Sequence, residues 1–547
     1  MKKIILGLSL SLVVLTGCKK DYLSFDYNEG PVSENDVWSS DRLSRGFLNS
    51  CYSALQARYD LGSGAMLSMA SDEAVCSNLS NSVNIINNGT WGPLRTFDER
   101  YSNLYAGIRS ANTFIEKAPG SFIFPATDVP KLKGEAFFLR AYYHFELFKR
   151  YGRIVLATRT FSPKEILDLP RNSIDEVVQQ ISNDCDSAAA LIDASWTGDW
   201  DNANKGRATK ASALALKSRL LLYAASPLHN SSGDKTKWQA AAAAAKEVMD
   251  MNKHALLSNT DFKRLWDYSN GATQYNKEVI FATVGSNTNS IESNNAPIGF
   301  TGGLGRTNPT QNLVDAFEMI NGKPISDNTS GYNVSNPYLN RDPRLSQFIV
   351  LNGSIFKTGS LTRAVETFSE GKDNLAINVN TTKTGYYMRK FLSENATFNV
   401  TGAASIRRPW VIFRYAEVLL NYAEALNEAT GVSPLVYTAV NQVRTRAGMP
   451  ALPTGLTQSQ MRDRIRNERQ VELCFEEHRF FDVRRWKLGE SLLNGPVRGM
   501  KITKTGTMLT YNPFIVETRI FETKHYLYPI SQSEINKAPK LGQNPGY

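Results

Sequence analysis

Histidine and cysteine are scarce in this chain of 547 residues, with five of each. His144, His229, His254, His478 and His525 are scattered, and no His-x-x-x-His or Ser/His/Asp arrangement joins them. A catalytic or metal centre of those types is therefore not expected. No two cysteines have zinc-site spacing, which gives the same answer for metal. Long apolar runs are missing as well. Beyond Ile4 to Leu15, nothing approaches the ~18 uninterrupted apolar residues that read as a membrane-crossing helix. Neither sign of charge dominates: 62 Lys and Arg stand against 52 Asp and Glu, mostly interleaved. That pattern suits a solvated basic surface and excludes nucleic acid as the expected partner. The run Gly302-Gly303-Leu304-Gly305-Arg306 lacks the Lys-Ser/Thr and the strand-to-helix setting of a phosphate loop. It reads as a ligand loop.

What the chain does have begins at its first residues. Met1-Lys2-Lys3 is a basic start, Ile4 to Leu15 is a short apolar core, and Leu15-Thr16-Gly17-Cys18 resembles the bacterial lipobox. Residues 1–17 are predicted to be a leader, Cys18 the lipidated first residue, and 18–35 a tether. Loss of Lys2 and Lys3 leaves 60 basic residues against 52 acidic ones. Cys51, Cys76, Cys185 and Cys474 then remain. Cys51 and Cys185 fall on apolar helix stripes, so buried free thiols are expected, with a disulfide as the alternative in an oxidising compartment.

Apolar residues recur at the helical period over about 36–58, 99–117, 131–150, 173–193, 207–225 and 236–250. The clearest case is the stretch after Arg407. Pro409 fits a first helical position, and Ile412, Tyr415, Ala416, Leu419, Tyr422, Ala423 and Leu426 form an apolar stripe. Arg414, Glu417, Asn421 and Glu424 lie opposite, and Gly431 fits a C-terminal cap. A second helix starts at Ser433 and ends at Gly448, making a hairpin whose alanines permit close backbone approach. A third begins at a Thr457/Gln460 capping box and is read as running on through Glu468, Glu472 and Glu476 to Arg485. Those three carboxylates would share one stripe. The arginines among them favour an ion-pair network over acid/base chemistry on sugars.

Between Phe262 and Ser405 the helical period fades. Glu278 to Thr283 reads as a short strand, and 285–310 and 320–400 as loops over the helical scaffold. From Tyr526 to Tyr547 the tail is extended and turn-rich.

Taken in order, several motifs resemble the SusD/RagB family: the lipobox with Lys19-Lys20-Asp21-Tyr22-Leu23, Ser71-Asp72-Glu73, Tyr105-Ala106-Gly107-Ile108, and Gly134-Glu135-Ala136 onward. Tyr386 to Phe391, the 407–447 hairpin, Ile465 through Trp486 and the Tyr528-Pro529-Ile530 ending complete the set. The resemblance spans essentially the whole chain. It implies an all-α dominated fold of four tetratricopeptide-like helix pairs, with a loop-rich segment and a few short strands. The expected organisation is one domain over 36–547. The helical scaffold would occupy about 36–254 and 407–450, a ligand-facing insertion 255–405, and a C-terminal helix and tail 457–547.

Functionally, the resemblance implies a cell-surface glycan-binding lipoprotein of the outer membrane. It would capture oligosaccharide and pass it to a TonB-dependent SusC-like transporter, without cofactor or catalysis. A surface glycosidase and a purely structural lid for the transporter are the alternatives. Sugar recognition calls for flat aromatic faces with amides and guanidinium groups near them. By that chemistry Asn78, Trp91, Phe300, Arg306 and Asn308 are candidates, with Tyr332 behind them, and core packing is the alternative for Trp91. The tryptophans that starch-binding members carry after Asp-Glu are replaced here by Ala74-Val75-Cys76-Ser77-Asn78.

Overall fold

The computed structural model describes residues 32–547 except 57–58, 60–63, 119–127, 194–204, 267–275, 360, 376–379 and 399–402. The predicted leader, Cys18 and most of the tether lie outside the described residues. The segment expected as one helix over 36–58 is divided into α1 (Glu34–Ser39) and α2 (Asp41–Cys51), because the Ser40 hydroxyl accepts from Leu43 N and starts a new helix. α3 (Tyr101–Lys117), α4 (Asp128–Tyr151), α5 (Ile174–Leu191), α6 (Lys210–Ala225) and α7 (Lys235–Asp250) lie where the periodicity places them. Ser173 and Thr209 open α5 and α6 with complete capping boxes.

Each of these helices packs on the next, from α2 to α7. Small residues set the spacing. A Cβ on Gly107 of α3 would stand 2.7 Å from the Tyr143 ring of α4, so only hydrogen fits at that crossing. The array continues through the helical hairpin over 415–446, and this stack of neighbouring pairs buries a large shared core, with a smaller cluster around Leu419, Leu420 and Val443.

Short strands stitch the remainder to the array: β1 (Ala74–Cys76), β2 (Val279–Ala282), β3 (Ser286–Thr288) and β4 (Thr307–Pro309), which leads into α8 (Gln311–Ala316). Further on, β5 (Ile406–Arg408) pairs with β3, and β6 (Val411–Arg414) pairs with β2. The helix expected from Pro409 therefore begins only at Tyr415. Val411-Ile412-Phe413 is a β-branched and aromatic run that finds a strand partner in Val279–Ala282, and pairing overrides the helical period there. α9 (Tyr415–Thr430) then ends at Gly431, whose φ is +85°, and α10 (Pro434–Arg446) is capped by Ser433.

α9 packs on α7, α10 and α11 (Gln458–Glu472). Its polar side is consequently buried rather than solvated. Glu417 meets Arg219 of α6 at 2.5 Å, Asn421 accepts from Arg469 at 2.7 Å, and Glu424 meets Arg485 at 2.6 Å. α11 does not run on to Arg485 as the sequence suggests. Phe475 and Glu477 take left-handed φ angles of +65° and +67°, and α12 (His478–Arg485) starts afresh.

Glu476 therefore leaves the helical stripe, yet it still reaches the same cation. Arg414 bonds Glu278 at 2.9 Å, Glu472 at 2.7 Å and Glu476 at 2.7 Å. Arg344 joins Glu468 at 2.6 Å and Glu472 at 3.0 Å, and Arg446 joins Glu278 and Glu472. This network ties strand, loop and three helices together in the interior. All four described cysteines are buried.

The largest departure from the sequence reading lies in the C-terminal segment. Gly495–Thr505 (β7) and Met508–Arg519 (β8) form a long antiparallel hairpin where only tail was expected. Met500 N donates to Thr384 O at 2.7 Å, and Ser369 N to Ile502 O at 2.7 Å, so the hairpin grips the loop-rich region.

Candidate functional site

β1 and β4 bring two distant loops together. They pair antiparallel, Ala74 with Pro309, Val75 with Asn308 and Cys76 with Thr307, and Ser77 N extends the ladder to Arg306 O at 2.9 Å. The base of this junction is fixed from below. Arg479 holds Asp72 through two bonds of 2.8 and 2.7 Å, and Thr310 N donates to Glu73 O at 2.9 Å. Glu73 itself is fully buried. Its carboxyl is pushed up to about 8, by burial first and by the Asp72 charge second, while Phe475 N donates to Oε2 at 3.2 Å.

Above that base the side chains become accessible. Asn78 is half-buried, and its Oδ1 accepts from Ser80 N at 3.1 Å, an Asx turn. Arg306 is also half-buried and donates to Asn380 Oδ1 at 3.2 Å, while its buried Nε has no hydrogen-bond partner. Asn308 is fully buried and serves as a brace: Nδ2 donates to Gly305 O at 2.8 Å, and Oδ1 accepts from Lys383 N at 2.8 Å. Lys383 is half-exposed beside this brace, and burial lowers its ammonium below the ordinary lysine range.

Segment 381–387 links this corner to a cluster of tyrosines. Tyr386 donates to Gln311 Oε1 at 2.6 Å and shares a 3.0 Å hydroxyl contact with Tyr338. Tyr338 packs edge-on against Tyr511 of β8, with ring centroids 5.5 Å apart. Three residue steps lead from Lys383 to Tyr386, so the backbone between the two groups spans about 11 Å at most. Tyr332, half-buried, lies near the same tyrosines, with the Arg341 guanidinium 5.6 Å from its ring. Asp315 is the nearby carboxylate; burial raises it and a 2.6 Å bond from Gln311 lowers it.

Two expected platforms lie inside the protein. Trp91 is 3% exposed and packs edge-on against Tyr528 at 5.1 Å, with His525 at 5.6 Å. Phe300 is fully buried between Arg363 at 4.1 Å and Phe356 at 4.9 Å. With Asn308 they shape the loops and present no face to solvent; the aromatic edge comes instead from Tyr332, Tyr338 and Tyr511. Sequence reasoning missed Tyr338, Tyr511, Asn380 and Lys383. Alternation along β7 and β8, with Met500 and Ile502 inward, was the signal that would have found Tyr511, the cross-strand partner of Ile502.

A stack of helix pairs is overlaid by loops that carry amides, cations and tyrosines, and the family follows from the matches. Residues 265–547, just over half the chain, match the family model described as SusD family, and residues 33–222 match one described as starch-binding associating with outer membrane. The chain belongs to the SusD family. It is similar to SusD-like protein P2 of Formosa agariphila, 25% identical over 462 residues that cover 81% of this chain and 79% of that one. A solved SusD-like protein from Bacteroides fragilis superposes with a TM-score of 0.82 at 28% identity, covering 95% of this chain and 100% of that chain. A second, described as a SusD-like carbohydrate binding protein from the same species, gives 0.75 at 25% identity over 92% and 100%.

Proposed function

We propose that this chain is a lipid-anchored glycan-binding protein of the outer membrane, which captures oligosaccharide at the cell surface and passes it to a TonB-dependent SusC-like transporter. Family membership supports this reading, as do the outer-membrane description of one matching model and the carbohydrate-binding description of a solved relative. The observation that carries it is the β1–β4 pairing. It brings the half-buried Asn78 and Arg306 close together, and the 381–387 segment links them through Lys383 and the buried Tyr386 to Tyr338, Tyr511 and Tyr332, which supports reading these groups as one binding strip. Amide, guanidinium and ammonium groups match sugar hydroxyls, and tyrosine rings offer faces to the apolar side of a pyranose.

A shallow strip of this kind gives modest affinity, because ordering costs offset much of the contact energy. Anchorage beside a transporter raises the effective concentration and offsets that weakness. Binding, not turnover, is the proposed activity.

The test is a glycan array followed by titration of the best oligosaccharide. Arg306→Ala and Asn78→Ala should each weaken binding about tenfold, the loss of one or two hydrogen bonds involving a charge or an amide. No reducing ends should appear on incubation. Release of reducing ends would favour the glycosidase reading, and full glycan uptake by cells carrying both variants would favour a structural lid.

A further inference from the structure

A cavity of about 460 Å³ opens on the scaffold between α6, α7, α9 and α11, and shares no residue with the strip described above. Its charged lining can be paired off one group at a time. Glu424 is fully engaged: Oε1 accepts from Arg485 at 2.6 Å and from the Trp486 indole at 2.7 Å, Oε2 accepts from Arg485 at 2.7 Å, and the carboxyl is held down to about 2, against burial, by Arg485. Glu428 is held by Arg462 through two bonds of 2.6 Å. Arg466 and Lys235 remain. Neither makes a hydrogen bond or ion pair among the described residues, and the Arg466 Nε is buried with no partner.

Arg466 is held in place without a hydrogen-bonded anion: Glu424 and Glu428 attract it, Arg485 and Arg462 repel it, and both carboxylates spend their hydrogen bonds elsewhere. Its guanidinium lies 4.8 Å from the Trp486 ring centroid, and burial lowers its pKa. A half-desolvated guanidinium that lacks a hydrogen-bonded anion is an unfavourable arrangement that a carboxylate would relieve through paired N–H···O bonds. Around it the wall offers neutral sugar-type contacts. Trp238, only 8% exposed, contributes not a ring face but the edge of an indole that makes no hydrogen bond among the described residues, and Gln458, whose NH2 is spent on Asn427 O, keeps its amide oxygen for a hydroxyl.

We propose that this cavity binds the carboxylate of an acidic sugar, with Arg466 and Lys235 as the anion-binding pair and Trp238 and Gln458 contacting the ring. It is a second carbohydrate site, selective for charge, and independent of the loop strip.

The experiment is titration of the full chain with glucuronate, glucose and inorganic sulfate, followed by ligand-observed NMR. Glucuronate should bind, glucose should bind at least tenfold more weakly, and raising the salt should weaken glucuronate but not glucose. Arg466→Gln should lower glucuronate affinity tenfold or more. Lys235→Gln, at an exposed position that leaves the fold intact, should lower it several-fold. Neither change should alter binding of a neutral oligosaccharide at the loop strip, and Arg306→Ala should leave glucuronate binding unchanged. Equal binding of glucuronate and glucose would overturn the proposal, as would full glucuronate affinity in both variants. Sulfate binding as tight as glucuronate would overturn the sugar assignment and leave an anion site only.

Discussion

Glu73 shows how a single residue beneath the strip couples to pH. Its folded pKa, about 8, lies above the ordinary carboxyl value of 4.5, so the native state holds a proton that the unfolded chain has released between those values. Stability from this group is present below pH 4.5 and is lost as pH rises toward 8. Glu73→Gln, which mimics the protonated acid, should gain urea midpoint relative to the parent at pH 9 and show no gain at pH 4. An equal difference at both values would contradict the assignment. Glu472 and Glu476 behave oppositely: against the effect of burial, Arg446 and Arg414 hold the Glu472 carboxyl, and Arg414 and Lys390 that of Glu476, below the usual carboxylate range. Their spacing was readable in the sequence, and so was the reason to doubt chemistry, because arginines are interleaved with them. Their burial was not readable, since a periodic polar face looks the same whether it meets water or another helix's cations.

At the scale of elements, helices with their own caps and stripes were legible: α3 to α7, and the Ser433 and Thr457 starts, lie within a few residues of where pattern places them. Elements defined by a distant partner were not. β6 looks helical until β2 lies beside it, and the β1–β4 ladder joins segments more than 200 residues apart. The β7–β8 hairpin depends on the same kind of long-range contact. Gly385 makes this testable: its φ is +86°, and a Cβ there would collide with the Met500 carbonyl of β7. Gly385→Ala should destabilise the protein by roughly 1–3 kcal/mol, read from denaturant midpoints. An unchanged midpoint would mean that the hairpin does not depend on this close approach.

Over the whole molecule, a helical frame and the loops laid over it are distinct parts. Stacked helices and the arginine–carboxylate network supply a frame, and the loops brought over it carry the groups proposed to meet a ligand. The candidate site was only partly visible in advance for that reason. Asn78, Arg306 and Tyr332 are half-exposed, whereas Trp91, Phe300 and Asn308 were chosen on chemistry alone and are taken up by packing. Residue type does not reveal which side of a loop faces solvent. The central claim is that an oligosaccharide lies on the strip from Asn78 to Tyr511. Amide hydrogen exchange of the intact chain with and without the best array ligand tests it directly. The account predicts slowed exchange confined to residues 77–84, 303–308, 380–387 and 509–512, and protection elsewhere with none in those segments would contradict it.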